Sequence, residues 1–392
     1  MERTKVSVVK LKDYESEAVS SAVRKSIGLL GGMENIFKPR SKIFLKINHL
    51  SPSSPPERGI CTHPFFTREV LRFLKEFDHK VIVGDDVQSE MKDCFLFTRY
   101  RYVCDELDIP LVNLREKGFR EVLCKGELLE KTYISPLLLE ADYIINLPKL
   151  KTHSFTIFTG AVKNMYGVIP CGLRLKYHRQ YIKNDVFSQM LVDIFSCVLS
   201  RLTIMDAVMA MEGEGPSEGE LRNVGVIITG LDAVAVDAVA SKIVGLEPMS
   251  VFTTYHAHSR GLGVGRIEDI HVVGEELKAV EVKNFKQSAV AINLFRSRVP
   301  SFLYAYFQYQ LTLTPEVMKD RCTACEDCIN VCPKGAARLG GGLARIDEEM
   351  CIHCLCCHEV CRFRAIRLKQ LPIGRIMRGI ISLSRRLRTL VS

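Results

Sequence analysis

"ADYIINLPKLKTHSFTIFTGAVKNMYGVIP", residues 141–170, is the stretch on which the fold turns. Its first eight residues, "ADYIINLP" (141–148), read as a short buried strand. Lys149, Lys151 and His153 then recur at every second position, which in an extended segment places them on one face. Thr159 and Gly160 suit the cap of a short helix over "AVKNMYG", which Gly167 and Pro170 stop. That helix carries Lys163 and Asn164 in its opening turns, where a free N-terminus favours anions. A lysine there calls for an anionic ligand, a carboxylate partner or a lowered pKa. From Pro148 to Asn184 there are seven Lys or Arg, two His and no Asp or Glu. Lys149, Lys151, Thr159, Gly160, Asn164 and Arg174 are therefore candidate anion or cofactor holders. His153, Lys163 and His178 are candidate catalytic groups.

Outside this stretch, short β-rich runs alternate with helical ones. Strands are expected at 5–11, 42–47, 80–85, 141–148, 201–208, 224–230 and 267–274, with helices such as 64–77 and 232–245 between them. Such alternation predicts an α/β fold, a largely parallel sheet with flanking helices. On that scheme Lys46, Asn48, His49, Asp85, Asp86, Asp206 and Glu212 fall at or just beyond the carboxyl ends of strands, the edge at which open α/β sheets bind ligands. Asp206 and Glu212 join the candidate catalytic set. "GLGVG" (261–265) precedes a strand and does not make a dinucleotide fingerprint, and no P-loop motif occurs.

Nine of the fifteen cysteines lie between 322 and 361. "CTACEDCINVCP" and "CIHCLCCHEVCR" both have C-x2-C-x2-C-x3-C spacing, repeated at an offset of 29 residues. In such runs the first three cysteines wrap one cubane and the fourth ligates the other. Cys322, Cys325, Cys328 and Cys361 are thus assigned to one [4Fe–4S] cluster, and Cys351, Cys354, Cys357 and Cys332 to a second. This resembles a bacterial-type two-cluster ferredoxin module, an α+β domain over residues 319–369. Cys356 is read as a bystander, and His353 and His358 as solvent-side neighbours.

The net charge of +9 equals the nine Lys or Arg, with no acid, between Arg362 and Ser392. Basic charge gathered in a tail argues against nucleic-acid binding over a folded face. The chain divides into an α/β domain (1–290), an aromatic bridge (291–318), the ferredoxin-like module (319–369) and a basic amphipathic tail (370–392) suited to peripheral membrane contact, an acidic partner or docking onto its own protein. The opening residues lack a signal-peptide pattern and no stretch approaches the ~20 apolar residues of a membrane span, so a cytoplasmic protein is expected.

"INLPKLKTHSFTIFTGAVKNMYGVIP", with "VMAMEGEGP" (208–216) and "LKIN" (45–48), resembles the family catalogued as domain of unknown function 362, often fused to a two-cluster ferredoxin. The order His153, "TGAVK" ending in Lys163, and His178 is also similar to the nickel-pincer lactate racemases. That similarity implies cofactor tethering by Lys163, nickel binding by His178 and acid–base work by His153. The combined expectation is an iron–sulfur oxidoreductase passing electrons to the α/β site. A redox partner protein, an anionic small-molecule substrate and a further anionic cofactor or metal go with it. The alternatives are a non-catalytic electron carrier or metallocofactor-assembly protein, and racemase or hydride-transfer chemistry at Lys163 and His178.

Overall fold

The computed structural model describes residues 3–87, 91–288, 313–361 and 363–370; the basic tail and most of the aromatic bridge lie outside them. The large sheet contains β1 (Thr4–Lys10), β2 (Lys42–Ile47), β3 (Lys80–Asp85), β4 (Leu111–Asn113), β7 (Tyr143–Leu147), β8 (Lys149–His153), β9 (Ile157–Thr159), β10 (Leu202–Glu212), β11 (Glu220–Gly230) and β12 (Ile270–Gly274). A separate hairpin pairs β5 (Arg120–Leu123) with β6 (Lys131–Ile134). The sheet order is β12-β1-β11-β10-β7-β2-β3-β4, with β8 alongside β10 and β9 outside β8. From β10 through β4 neighbours run parallel, and β12 is parallel to β1. β11 runs antiparallel to both β1 and β10. The sheet is therefore mixed but mostly parallel, and all seven expected strands are in it.

Alternation along β2 assigns its faces. Ile43, Leu45 and Ile47 join a core with helices Ser16–Gly28, Pro64–Lys75 and Tyr100–Glu106. Phe44 points the other way, to a core with Ala161–Asn164, Cys171–Gln180 and Asn184–Cys197. Both faces are covered, which is why β2 reads as a near-continuous apolar run. Helix Pro64–Lys75 shows how the pattern works: Phe66, Val70, Leu71 and Leu74 are buried, Pro64 opens the first turn, and Arg72 and Lys75 close the last.

Two further antiparallel pairs build the C-terminal module: β13 (Leu313–Val317) with β16 (Ile366–Gln370), and β14 (Ala337–Gly340) with β15 (Leu343–Ile346). The first pairing extends the module back to Leu313, inside the segment read from sequence as a bridge. The 29-residue repeat is visible in the backbone. Ala324 and Glu326 have φ of 55° and 63°, and His353 and Leu355 repeat this at 52° and 63°. These left-handed residues turn the chain between successive cysteines.

Candidate functional site

β8 is the pivot of the carboxyl edge. It follows β7 across Pro148, pairs Lys149 with Asp206 and Lys151 with Met211 on β10, and is buried throughout. Lys149 Nζ lies 2.7 Å from Asp206 Oδ2 and donates to Tyr14 Oη at 2.7 Å. Tyr14 in turn donates to Asp206 Oδ1 at 2.8 Å, and the His63 amide donates to Oδ2 at 3.0 Å. The His63 ring stacks on Tyr14 at 3.7 Å with its Nδ1 buried and without a hydrogen bond. Burial lowers its pKa to about 4. Lys151 Nζ donates to Asn48 Oδ1 at 2.8 Å and to the Ile60 carbonyl at 2.6 Å.

Two more cations are matched in the same way. Lys46 contacts Asp85 at 2.8 Å, and burial works against both charges, pulling the amine down and the carboxyl up. Gly167 is needed here because a Cβ would stand 2.4 Å from Asp85 Oδ1 and 2.9 Å from Lys46 Nζ. Arg174 pairs with Asp86, which also takes Arg115 at 3.2 Å. The anion that Arg174 holds is thus a carboxylate of the protein itself.

The helix N-terminus expected to receive an external anion is likewise filled from within. Asp237, from helix Ala233–Ile243, accepts from the amides of Ala161 at 2.5 Å and Val162 at 3.0 Å. Burial raises its pKa to about 7. Gly160 permits this contact, since a Cβ there would lie 2.1 Å from Asp237 Oδ1. Thr159 is buried with its hydroxyl unpartnered. Asn164 donates to Asn146 Oδ1 at 2.7 Å, making a polar brace between helix and sheet. Asp232 explains "GLGVG": its carboxylate caps helix Ala233–Ile243 and accepts from the Val264 amide at 2.8 Å.

His153, Lys163 and His178 come together in a different environment. His153 Nδ1 accepts from the Phe155 and Thr156 amides at 3.0 and 3.2 Å, which places the neutral ring's proton on Nε2. Burial, then the positive fields of Lys163 and His178, hold its pKa well below the usual value. His178 sits among Phe187, Tyr166 and Phe155, with ring centroids at 4.6, 6.0 and 6.3 Å. Its Nδ1 is buried without a hydrogen bond, and burial followed by Lys163 and Arg174 brings its pKa to about 3. Both imidazoles are neutral at pH 7. Glu212 is elsewhere: it accepts from the Lys286 amide at 2.9 Å and tethers that segment to β10.

In the C-terminal module one small cavity is lined by Cys322, Cys325, Cys328 and Cys361. A second is lined by Cys332, Cys351, Cys354 and Cys357. The fourth cysteine of each run serves the other cavity, as the spacing requires, and Cys356 lines neither. Among the described residues no group of three or more His, Cys, Asp or Glu closes on a single metal ion. Four thiols spread around a cavity suit a cubane. The Ala365 amide donates to Cys361 Sγ at 3.1 Å and the Ala344 amide to Cys322 Sγ at 3.5 Å.

The module meets the α/β domain on the loop after β10. Arg364 pairs with Glu218 at 3.3 Å, and Glu218 also takes Arg58 at 3.0 Å. His358 corrects the solvent-side expectation: it is buried, donates from Nδ1 to the Ile366 carbonyl at 2.7 Å, and its buried Nε2 has no hydrogen bond. It neighbours both Glu218 and His153. Tyr14, His63, Glu218 and Asp237 are not picked out by the sequence. An aspartate inside the apolar run "AVAVDAVA" was the readable signal for Asp237.

Among the described residues no helix is long and apolar enough to cross a membrane. The family described as "Domain of unknown function (DUF362)" matches residues 43–242, and a "4Fe-4S binding domain" description matches residues 344–367. The "Thylakoid-associated protein sll1697" of Synechocystis sp. is 30% identical over 259 residues, 66% of this chain and 79% of that protein. The lactate racemase apoprotein from Thermoanaerobacterium thermosaccharolyticum aligns with a TM-score of 0.38 and 13% identity, over 57% of this chain and 53% of its own. A structural-genomics protein from Thermotoga maritima aligns at 0.37 and 16%, over 57% of each chain. The chain thus spans little more than half the length of these two solved structures.

Proposed function

This chain belongs to the family described as "Domain of unknown function (DUF362)" and contains a 4Fe–4S binding motif; from that premise we propose that it is an iron–sulfur oxidoreductase. Cys322, Cys325, Cys328 and Cys361 hold one [4Fe–4S] cluster, and Cys351, Cys354, Cys357 and Cys332 hold another. Clusters of this type carry single electrons at low potential. The observation that carries the reading is the docking of the cysteine module beside His153, through Arg364 and Glu218 and with His358 inside the contact. A redox partner protein delivers or collects electrons at the module, where Cys325 is exposed.

The chain's own residues divide the work at the receiving site. Lys163 supplies positive charge to an anionic substrate or cofactor. His153, neutral with its proton on Nε2, donates a hydrogen bond without carrying charge of its own. Neutral His178, walled by aromatic rings, offers Nδ1 to the same space. The Asp–cation pairs at Lys46, Lys149 and Arg174 position this corner and do not bind substrate. The name of the Synechocystis relative supports a place at a membrane surface, and the basic tail supplies the charge for it.

The test uses chain purified anaerobically, reduced with dithionite and freed of excess reductant. Visible cluster absorbance is followed as anionic acceptors are added. Reoxidation in the wild type, slowed in a Lys163→Ala variant of equal iron content, supports the reading. Equal rates in both overturn the role of Lys163.

A further inference from the structure

Two cysteines outside the iron–sulfur module meet at the edge of the α/β domain. Cys124 directly follows β5, and Cys197 ends helix Asn184–Cys197. They are 73 residues apart in sequence, yet their sulfurs stand 2.7 Å apart. That is well inside the roughly 3.5–4.0 Å at which non-bonded heavy atoms rest, and it approaches the ~2.05 Å of a sulfur–sulfur bond. Both side chains are partly exposed, so a dissolved reagent reaches them.

The surroundings hold the pair in register. Buried Asp193, one turn before Cys197, accepts from the amides of Glu127, Leu128 and Leu129 at 2.8–2.9 Å. It also pairs with Arg260 at 2.6 Å. The chain just after Cys124 is thereby pinned to the helix that ends in Cys197. Gly126 allows the close approach, since a Cβ there would lie 2.5 Å from the Asp193 carboxyl carbon. The Cys124 amide donates to the Glu130 carbonyl at 2.8 Å, closing the turn.

We propose that Cys124 and Cys197 form a reversible disulfide by exchange with a low-molecular-weight disulfide of the glutathione class. The Cys197 thiolate attacks one sulfur of the oxidant, forming a mixed disulfide and releasing one thiol. Cys124 then attacks the Cys197 sulfur, gives up its proton and releases the second thiol. Two protein thiols are oxidised and one small disulfide is reduced to two thiols. The order follows from the contact between the sulfurs, which lowers the Cys197 pKa and raises the Cys124 pKa. The bond ties the β5–β6 hairpin to the helix that carries Phe187 against His178.

The experiment treats the full chain, kept anaerobic, with oxidised or reduced glutathione, then alkylates, digests and maps the peptides by mass. A peptide joining Cys124 to Cys197, formed with oxidised glutathione and lost on reduction, is expected. In Cys124→Ser the expected product is a glutathione adduct on Cys197. Full alkylation of both cysteines in the oxidised wild-type sample overturns the proposal, as does either cysteine pairing instead with one of the module. Peptide-level mapping in the wild type needs no variant to fold.

Discussion

Two parts of the carboxyl edge treat charge in opposite ways. Lys46, Lys149 and Arg174 are each held by a carboxylate, from Asp85, Asp206 and Asp86 respectively. His153, buried, and His178, partly buried, are instead neutral rings, and the cations around them push their pKa values further down. The basic segment that contains four of these residues has no acid of its own. The fold imports carboxylates from β3 and β10 to silence one half of it. A cation buried with its carboxylate is scaffold; a neutral imidazole beside Lys163 keeps its chemistry available.

The largest effect is expected where scaffold charge is unbalanced. Asp206→Ala leaves Lys149 buried without its carboxylate and removes the acceptor for Tyr14 and the His63 amide. A loss of about 3–5 kcal/mol in denaturant unfolding is expected. Adding Lys149→Met should recover much of it. If the single variant loses under 1 kcal/mol or so, the pair does not hold the edge together.

Next comes the helix that presents Lys163. Gly160→Ala drives a methyl into the Asp237 carboxylate and should cost about 1–3 kcal/mol, read from the urea midpoint. Asp237 also sets a pH dependence. Its folded pKa of about 7 exceeds the ordinary 3.8, so between those values the folded state binds more protons than the unfolded one. Stability therefore falls as pH rises from about 4 to about 7. Asp237→Asn should flatten that slope.

The histidine corner has the opposite sign. His178, at about 3 against an ordinary 6.5, stays neutral in the fold while the unfolded chain takes up the proton first. Its contribution is full above pH 6.5 and is lost as pH falls toward 3. His178→Phe should reduce the acid-side slope by at most about 1.4 kcal/mol per pH unit, measured by unfolding at several pH values. An unchanged slope would mean that this ring is protonated in the fold.

The smallest effect is at the contact between the two regions. Arg364 is half exposed, so Arg364→Ala should cost no more than about 1 kcal/mol in stability and leave iron content unchanged. It should still slow the reoxidation of reduced clusters by an acceptor bound in the α/β domain. A stability loss without a rate change would make the Arg364–Glu218 pair purely structural.

The sequence carried the architecture because its signals were local. Strand periodicity locates β2, β3, β7, β10 and β11, and cysteine spacing indicates which thiols line which cavity, including the exchanged fourth cysteine. Lys149, Lys151 and His153 were legible on one face because a strand alternates strictly. What was not legible depends on distance along the chain. Nothing near Gly160 reveals that Asp237 fills the helix N-terminus, nor anything near Arg174 that Asp86 and not a substrate meets it. His358 looked like a surface neighbour of two cysteines because its burial comes from β16 and the loop holding Glu218. Short β4 and β9 escape the sequence because three residues carry too little periodicity.

The most direct test of the account counts the metal. Chain purified without oxygen is analysed for iron and acid-labile sulfide, and its reduced form is examined by EPR. The account predicts about eight irons per chain and the spectrum of two magnetically coupled [4Fe–4S] clusters. About four irons or fewer, with an uncoupled spectrum, would contradict it.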